Sequence, residues 1–170
     1  MDLLKKGAEF IWTNNCRKAL QRLKDIVTSE PVLVPPRQNE QFILEVDASQ
    51  YATGAILYQA DPKLKDWKGN PLLRPCGYHA QTFSATEQWY PIYDREFLAI
   101  MRGLIHWDYL LQAPRPAPTI IITDHANLQY YQHPHKIGPR VAGYISMMEE
   151  YPITLMYKPG KTNRADALSR

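Results

Sequence analysis

Cysteine is nearly absent from this chain. Only Cys16 and Cys76 occur among 170 residues, far apart and in no Cys-x-x-Cys pair. That excludes a disulfide framework and a structural zinc site, and it points to a reducing compartment. Long apolar runs are missing too. No stretch approaches the roughly 20 residues that span a bilayer, so no membrane partner is expected. The opening Met1-Asp2-Leu3-Leu4-Lys5-Lys6 is too short and too polar for a secretory signal, and the expectation is a soluble, intracellular protein. Charge of one sign is also scarce. A net +3 is mildly basic and does not by itself indicate nucleic acid. What is present is 45% hydrophobic content in 170 residues, enough for a substantial core in one domain plus an appendage.

Residues 1–40 read as the appendage. Asn14 or Asn15 is placed to cap a helix on which Ala19, Leu20, Leu23, Ile26 and Val27 recur at helical spacing. Pro31 should end it, since the residue before proline is pushed out of the α region. The pattern changes at residue 41. Strands are predicted at 41–47, 54–60, 72–80, 120–124 and 153–158, with a hydrophilic loop over 61–71. A long helix is predicted over 86–111, with Pro91 in its first turns or at its true start. Further helices are predicted at 125–131, 138–150 and 163–169. A long helical crossover between the third and fourth strands calls for a mixed α/β sheet covered by helices. In such folds, groups at the carboxyl ends of neighbouring strands share a crevice.

Four carboxylates stand at element ends. Asp47 closes Phe42-Ile-Leu-Glu-Val-Asp47, and Asp124 closes Ile120-Ile-Ile-Thr-Asp124. Glu96 lies near the start of the long helix, and Asp166 lies in the last segment. Each has an ordinary reading: a strand end, a helix cap, an acid favoured by a helix dipole, a surface residue. Together they suggest a pocket for divalent metal. Two unit charges about 4 Å apart repel by roughly 4 kcal/mol at an effective dielectric near 20. Several carboxylates in one pocket would protonate or splay without a counter-charge. Hard oxygen donors without cysteine favour magnesium or manganese over zinc. Two such ions about 4 Å apart can clamp a phosphodiester.

The run Phe42-Ile-Leu-Glu-Val-Asp-Ala-Ser49 with Gly54-Ala-Ile-Leu57 resembles the first hairpin of retroelement ribonuclease H domains. Tyr93-Asp-Arg-Glu-Phe-Leu-Ala-Ile100 is similar to their first long helix, and Thr123-Asp-His-Ala-Asn-Leu128 to their fourth strand and the helix after it. Lys158-Pro-Gly-Lys161 and Arg164-Ala-Asp-Ala-Leu-Ser-Arg170 resemble the closing motif in Gypsy-type LTR retrotransposons. The appendage, through Phe10, Trp12, Cys16, Ala19, Leu23-Lys24 and Pro31-Val-Leu33, resembles the connection after a reverse transcriptase.

The resemblance implies a ribonuclease H-like mixed five-stranded sheet flanked by helices over 41–170, within a Pol polyprotein. It implies a metal-dependent endonuclease that hydrolyses the RNA strand of RNA/DNA hybrids during reverse transcription, leaving a 3′-hydroxyl and a 5′-phosphate. Asp47, Glu96, Asp124 and Asp166 would be both the catalytic residues and the metal ligands. They would hold two Mg2+ ions, with Mn2+ as a substitute. Asp47 would bridge both, Asp166 would complete the nucleophile side, and Glu96 with Asp124 would complete the other. Implied partners are the hybrid and the reverse transcriptase portion of the same polyprotein. The implied location is the cytoplasm, within retrotransposon particles.

The pattern departs from relatives at two points. Residues 157–165 contain no histidine, which cellular relatives carry before the last aspartate, and 138–150 has Arg140 as its one cation where those relatives have a basic helix. Weak binding of substrate by the isolated fragment is the expectation. His125, His133 and His135 fit no zinc spacing. Trp89, Tyr90, Tyr93, Trp107 and Tyr109 are expected mainly in packing rather than base stacking. Lys158, Lys161, Arg164 and Arg170 are candidates for phosphate contact beside Asp166. Two competing readings are an integrase-like nuclease, which would use a late glutamate, and a non-catalytic or host-adopted domain that binds nucleic acid or a partner protein.

Overall fold

Strand β1 (Phe42–Ala48) alternates between two buried faces. Phe42, Leu44 and Val46 are fully buried in the main core, whereas Ile43 packs with Ile56 and Tyr58 in a smaller cluster on the opposite face. Strand β2 (Ala52–Lys65) pairs antiparallel with β1, from Phe42↔Gln59 to Ala48↔Thr53, and β3 (Pro71–Thr82) pairs antiparallel with β2. Strand β4 (Thr119–Thr123) lies parallel to β1, with Ile43↔Ile120 and Glu45↔Ile122 in register. Strand β5 (Ile153–Tyr157) continues parallel to β4, giving the order β3-β2-β1-β4-β5. This is the mixed five-stranded sheet expected from the sequence. The computed structural model describes residues 12–29, 33–37, 39–66, 68–126, 128, 138–160 and 163–170.

By contacts the chain divides into two units, Met1–Val32 and Leu33–Arg170. In the first, α1 (Asn14–Ser29) is capped by Thr13, whose hydroxyl accepts the Cys16 N–H at 3.3 Å, and not by Asn14 or Asn15. In the second, residues 33–37 already belong to the sheet's surroundings: the Val34 N–H donates to the Pro75 carbonyl at 2.9 Å. The contact boundary falls at 32/33.

Helix α2 (Ile92–His106) covers one face of the sheet and buries Phe97, Ile100, Met101 and Leu104. It is shorter than the predicted 86–111. Pro91 has extended backbone (ψ 150°) and stands as the N-cap, and Trp107 breaks the other end at φ −109°, ψ 25°. A four-residue α3 (Asp108–Leu111) follows. Trp107 is buried, edge-on to the rings of His79 and His106. Helix α4 (Pro139–Met148) packs on α2, and α5 (Asp166–Ser169) lies against β1, β2 and β3. The helix predicted over 125–131 lies mostly outside the described residues. Among the described residues no helix is long and apolar enough to cross a membrane.

The loop predicted over 61–71 is instead mostly strand, an extension of the β2–β3 ribbon past β1. Its sequence is hydrophilic because both faces are wet there. Asp61 anchors the base, accepting the Lys63 N–H at 2.9 Å and pairing with Arg37 and Arg74. At the tip Asp66 accepts the N–H groups of Lys68 and Asn70, both at 2.8 Å, and Gly69 takes φ +83°.

Core packing on β1 sets the stability expected of the sheet. Leu44 is 0% exposed under α2. Leu44→Ala should lower unfolding free energy by about 2–5 kcal/mol in urea titration, and a loss under about 1 kcal/mol would contradict this packing.

Candidate active site

Asp47 is the penultimate residue of β1, 6% exposed, opposite Gly54 in the antiparallel ladder. A side chain at Gly54 would not fit: a Cβ there would lie 2.6 Å from the Ala165 carbonyl oxygen and 2.9 Å from the Ser169 nitrogen. The last segment thus lies directly on the sheet beside Asp47. Asp124 is the first residue after β4. Because β4 runs parallel beside β1, the two aspartates leave the same edge of adjacent strands. Gly160 approaches Asp124 from the turn after β5, so closely that a Cβ would stand 2.5 Å from Asp124 Oδ2.

Glu96 sits in the second turn of α2, 4% exposed. Its Oε2 has no hydrogen-bond partner. Burial, and then repulsion from Asp47 and Asp124, push its pKa up to about 8, with Arg95 opposing. Burial also raises the pKa of Asp47. A hydrogen bond from Ser169 opposes that shift, while repulsion from Asp124 and Asp166 adds to it. The sequence candidates are therefore electrostatically linked: Asp47 senses Asp124 and Asp166, and Glu96 senses Asp47 and Asp124. Asp166 is more exposed (side chain 42%) and pairs with Arg170 at 2.9 Å.

Carboxylates of this kind suit a hard divalent cation, and the unpartnered, buried Glu96 oxygen is an unfilled acceptor. The donor set fits in chemistry and charge. It is not drawn together: among the described residues, no three His, Cys, Asp or Glu side chains stand close enough to hold a metal ion.

Other candidates are placed differently from the sequence reading. Lys158 reaches back to Glu45, a 1% exposed residue of β1, at 2.8 Å, and so neutralises a buried charge. Arg164 lies over the Tyr58 ring at 6.0 Å and Arg170 is engaged with Asp166. Lys161, His133 and His135 lie outside the described residues. The His125 ring is 6.0 Å from that of Tyr93, and its backbone N–H donates to the Thr123 hydroxyl. Trp107 is core, but Trp89 (89% exposed) and Tyr109 (76%) are not. The sequence reading missed Asn163 and Ser169, both buried and both bonded to Asp47. Neither carries a local signal, since each lies more than a hundred residues from its partner.

A mixed sheet in this order, with aspartates at the ends of its paired parallel strands, defines a ribonuclease H-like fold. Solved structures that share it include foamy viral protease-reverse transcriptase dRH with double-stranded DNA (TM-score 0.58, 16% identity, 94% of this chain and 28% of that one), foamy viral protease-reverse transcriptase with an RNA/DNA hybrid (0.55, 17%, 92% and 20%), and LC11-RNase H1 with an RNA/DNA hybrid (0.50, 14%, 75% and 91%). Residues 12–118 match the family described as the RNase H-like domain found in reverse transcriptase, and the chain belongs to that family. Asp47 and Glu96 fall within the matched residues; Asp124 and Asp166 lie beyond them. The Transposon Tf2-3 and Tf2-4 polyproteins of Schizosaccharomyces pombe are each 33% identical over 172 aligned positions, covering 99% of this chain. The chain spans 12% of the length of those polyproteins.

The raised pKa of Glu96 predicts a pH dependence of stability. The folded state keeps the proton that the unfolded state releases from about 4.5, until pH passes about 8. In chelator, the urea midpoint should fall as pH rises through that window, and Glu96→Gln should flatten the fall. Equal slopes in both proteins would refute the assignment.

Proposed function

We propose that this chain is the ribonuclease H domain of an LTR-retrotransposon Pol polyprotein, cleaving the RNA strand of RNA/DNA hybrids. The observation that carries this reading is the buried Glu96 carboxylate, with one oxygen unpartnered, coupled electrostatically to Asp47 and Asp124 at adjacent strand ends. Such an arrangement is costly to hold for structure alone, because each charge raises the cost of the next.

Asp47, Glu96, Asp124 and Asp166 would hold two divalent ions, Mg2+ or Mn2+. When bound, the ions supply the charge that keeps these carboxylates ionised, and they favour attack by water and departure of the 3′ oxygen. The chain's own residues do the positioning. β1 carries Asp47, β4 leads directly into Asp124, and α2 carries Glu96 in its second turn. Asp166 arrives on the last segment and is more accessible than Asp47 and Glu96, which suits the water side of the reaction. A hybrid is selected by its groove and 2′-hydroxyls, with little base preference, since no base-reading helix is present among the described residues. The natural partner would be the reverse transcriptase portion of the same polyprotein, in retrotransposon particles in the cytoplasm.

The separated carboxylates and the Arg170–Asp166 pair favour one alternative, a non-catalytic domain that binds nucleic acid. A labelled hybrid, with single-stranded RNA and double-stranded DNA as controls, separates the two readings. Mg2+-dependent cutting of the hybrid alone is expected, reduced about 10²–10³-fold by Asp124→Asn, as when one charge-stabilising group is lost. Binding without cutting, in Mg2+ and in Mn2+, would support the non-catalytic domain.

A further inference from the structure

The last segment ends on Asp47 through both of that residue's oxygens. The Ser169 hydroxyl donates to Oδ2 at 2.5 Å, and the Asn163 amide donates to Oδ1 at 3.3 Å. Asn163 is itself fixed: its Nδ2 also donates to the Val46 carbonyl at 2.9 Å, and its Oδ1 accepts the Ala165 N–H at 3.0 Å. Ser169 is fixed as well. Its N–H donates to the Ala165 carbonyl at 3.2 Å, and its carbonyl accepts a hydrogen bond from the Ser49 hydroxyl. Ser49 is held in turn, its carbonyl accepting from Arg95 at 2.7 Å, next to Glu96. Ser169 is 0% and Asn163 8% exposed.

Packing alone does not require this pattern. The segment is already seated by Ala165 in the small apolar cluster and by the bare backbone at Gly54. Its two buried polar side chains nevertheless meet on a single carboxylate. An ionised carboxylate has about four acceptor sites, so two donors fix its rotamer and leave about two sites free.

We propose that Ser169, supported by Asn163, is a positioning residue that holds the Asp47 carboxylate ready to ligate a divalent cation. This rests on the metal-binding reading given under Proposed function. The same segment carries Asp166, so one short stretch supplies a ligand and orients another. Groups that orient ligands in this way typically change metal affinity by about 10–100-fold.

The test is calorimetric titration of Mn2+ into the full 170-residue chain without nucleic acid, with thermal unfolding in chelator run on each variant. Ser169→Ala should weaken Mn2+ binding about 10–100-fold while remaining folded in chelator, and Asn163→Ala should act in the same direction. Affinity in Ser169→Ala within twofold of the parent, or tighter, would overturn the proposal and leave the metal reading standing. No Mn2+ binding by the parent chain would overturn both. If neither variant folds in chelator, the two residues are structural only and the proposal fails.

Discussion

The parallel pairing of β1 with β4 is the constraint on which the rest of the molecule depends. Parallel neighbours cannot be joined by a tight turn, so the chain between them must leave the sheet, cross a face and return. That crossover is largely α2, and crossing it buries Phe97, Ile100 and Leu104 against Leu44 and its neighbours. The pairing also sends both strands out at one edge of the sheet, bringing Asp47 and Asp124 together. Glu96 enters the same region because the crossover helix begins there. A single topological choice thus builds the core and puts three of the four acids within electrostatic reach of one another.

Two buried glutamates show how the chain treats charge. Glu45 and Glu96 are 1% and 4% exposed. Glu45 is neutralised internally by Lys158, at 2.8 Å, with Tyr58 close enough for burial and that carboxylate to raise the phenol's pKa. Lys158 is half-buried, but removing it would leave the buried Glu45 carboxylate unpaired, so Lys158 belongs to the sheet's stability. Glu96 receives no such partner on Oε2 and responds by holding its proton to higher pH. The difference separates a carboxylate paired inside the protein from one whose second oxygen has no partner.

Much of this was legible in the sequence, and the reasons vary by element. β1 and β4 were readable because short apolar runs ending in aspartate have few other interpretations. Pro91 offered the start of α2 as one of two readings, within its first turns or at its beginning, and nothing offered its end. Trp107 reads as an ordinary apolar helix residue, and only its buried seat beside His79 and His106 breaks the helix there. The ribbon beyond residue 60 was hidden for a different reason. Past Asp61 its residues are exposed through Lys65, so no alternation marks it as strand. Pairing also explains what remained unseen at the site. Glu45–Lys158 and Asp47–Ser169 join residues separated by 113 and 122 positions, and nothing local in a lysine or a serine announces a partner that far away.

Glycine decides how closely the chain can close over the two aspartates. Asp47 faces Gly54 across the ladder, and Asp124 is met by Gly160. In both places backbone or carboxylate occupies the volume a Cβ would need, at 2.6 Å from the Ala165 carbonyl oxygen and 2.5 Å from Asp124 Oδ2. A methyl group at 54 would lift the segment that carries Asn163, Asp166 and Ser169 off the sheet. One at 160 would push the Asp124 carboxylate from its present position. Neither glycine has positive φ, so neither is needed for turn geometry. Their role is clearance. The two aspartates stand at strand ends, and the space around them is defined by the two residues that have no side chain.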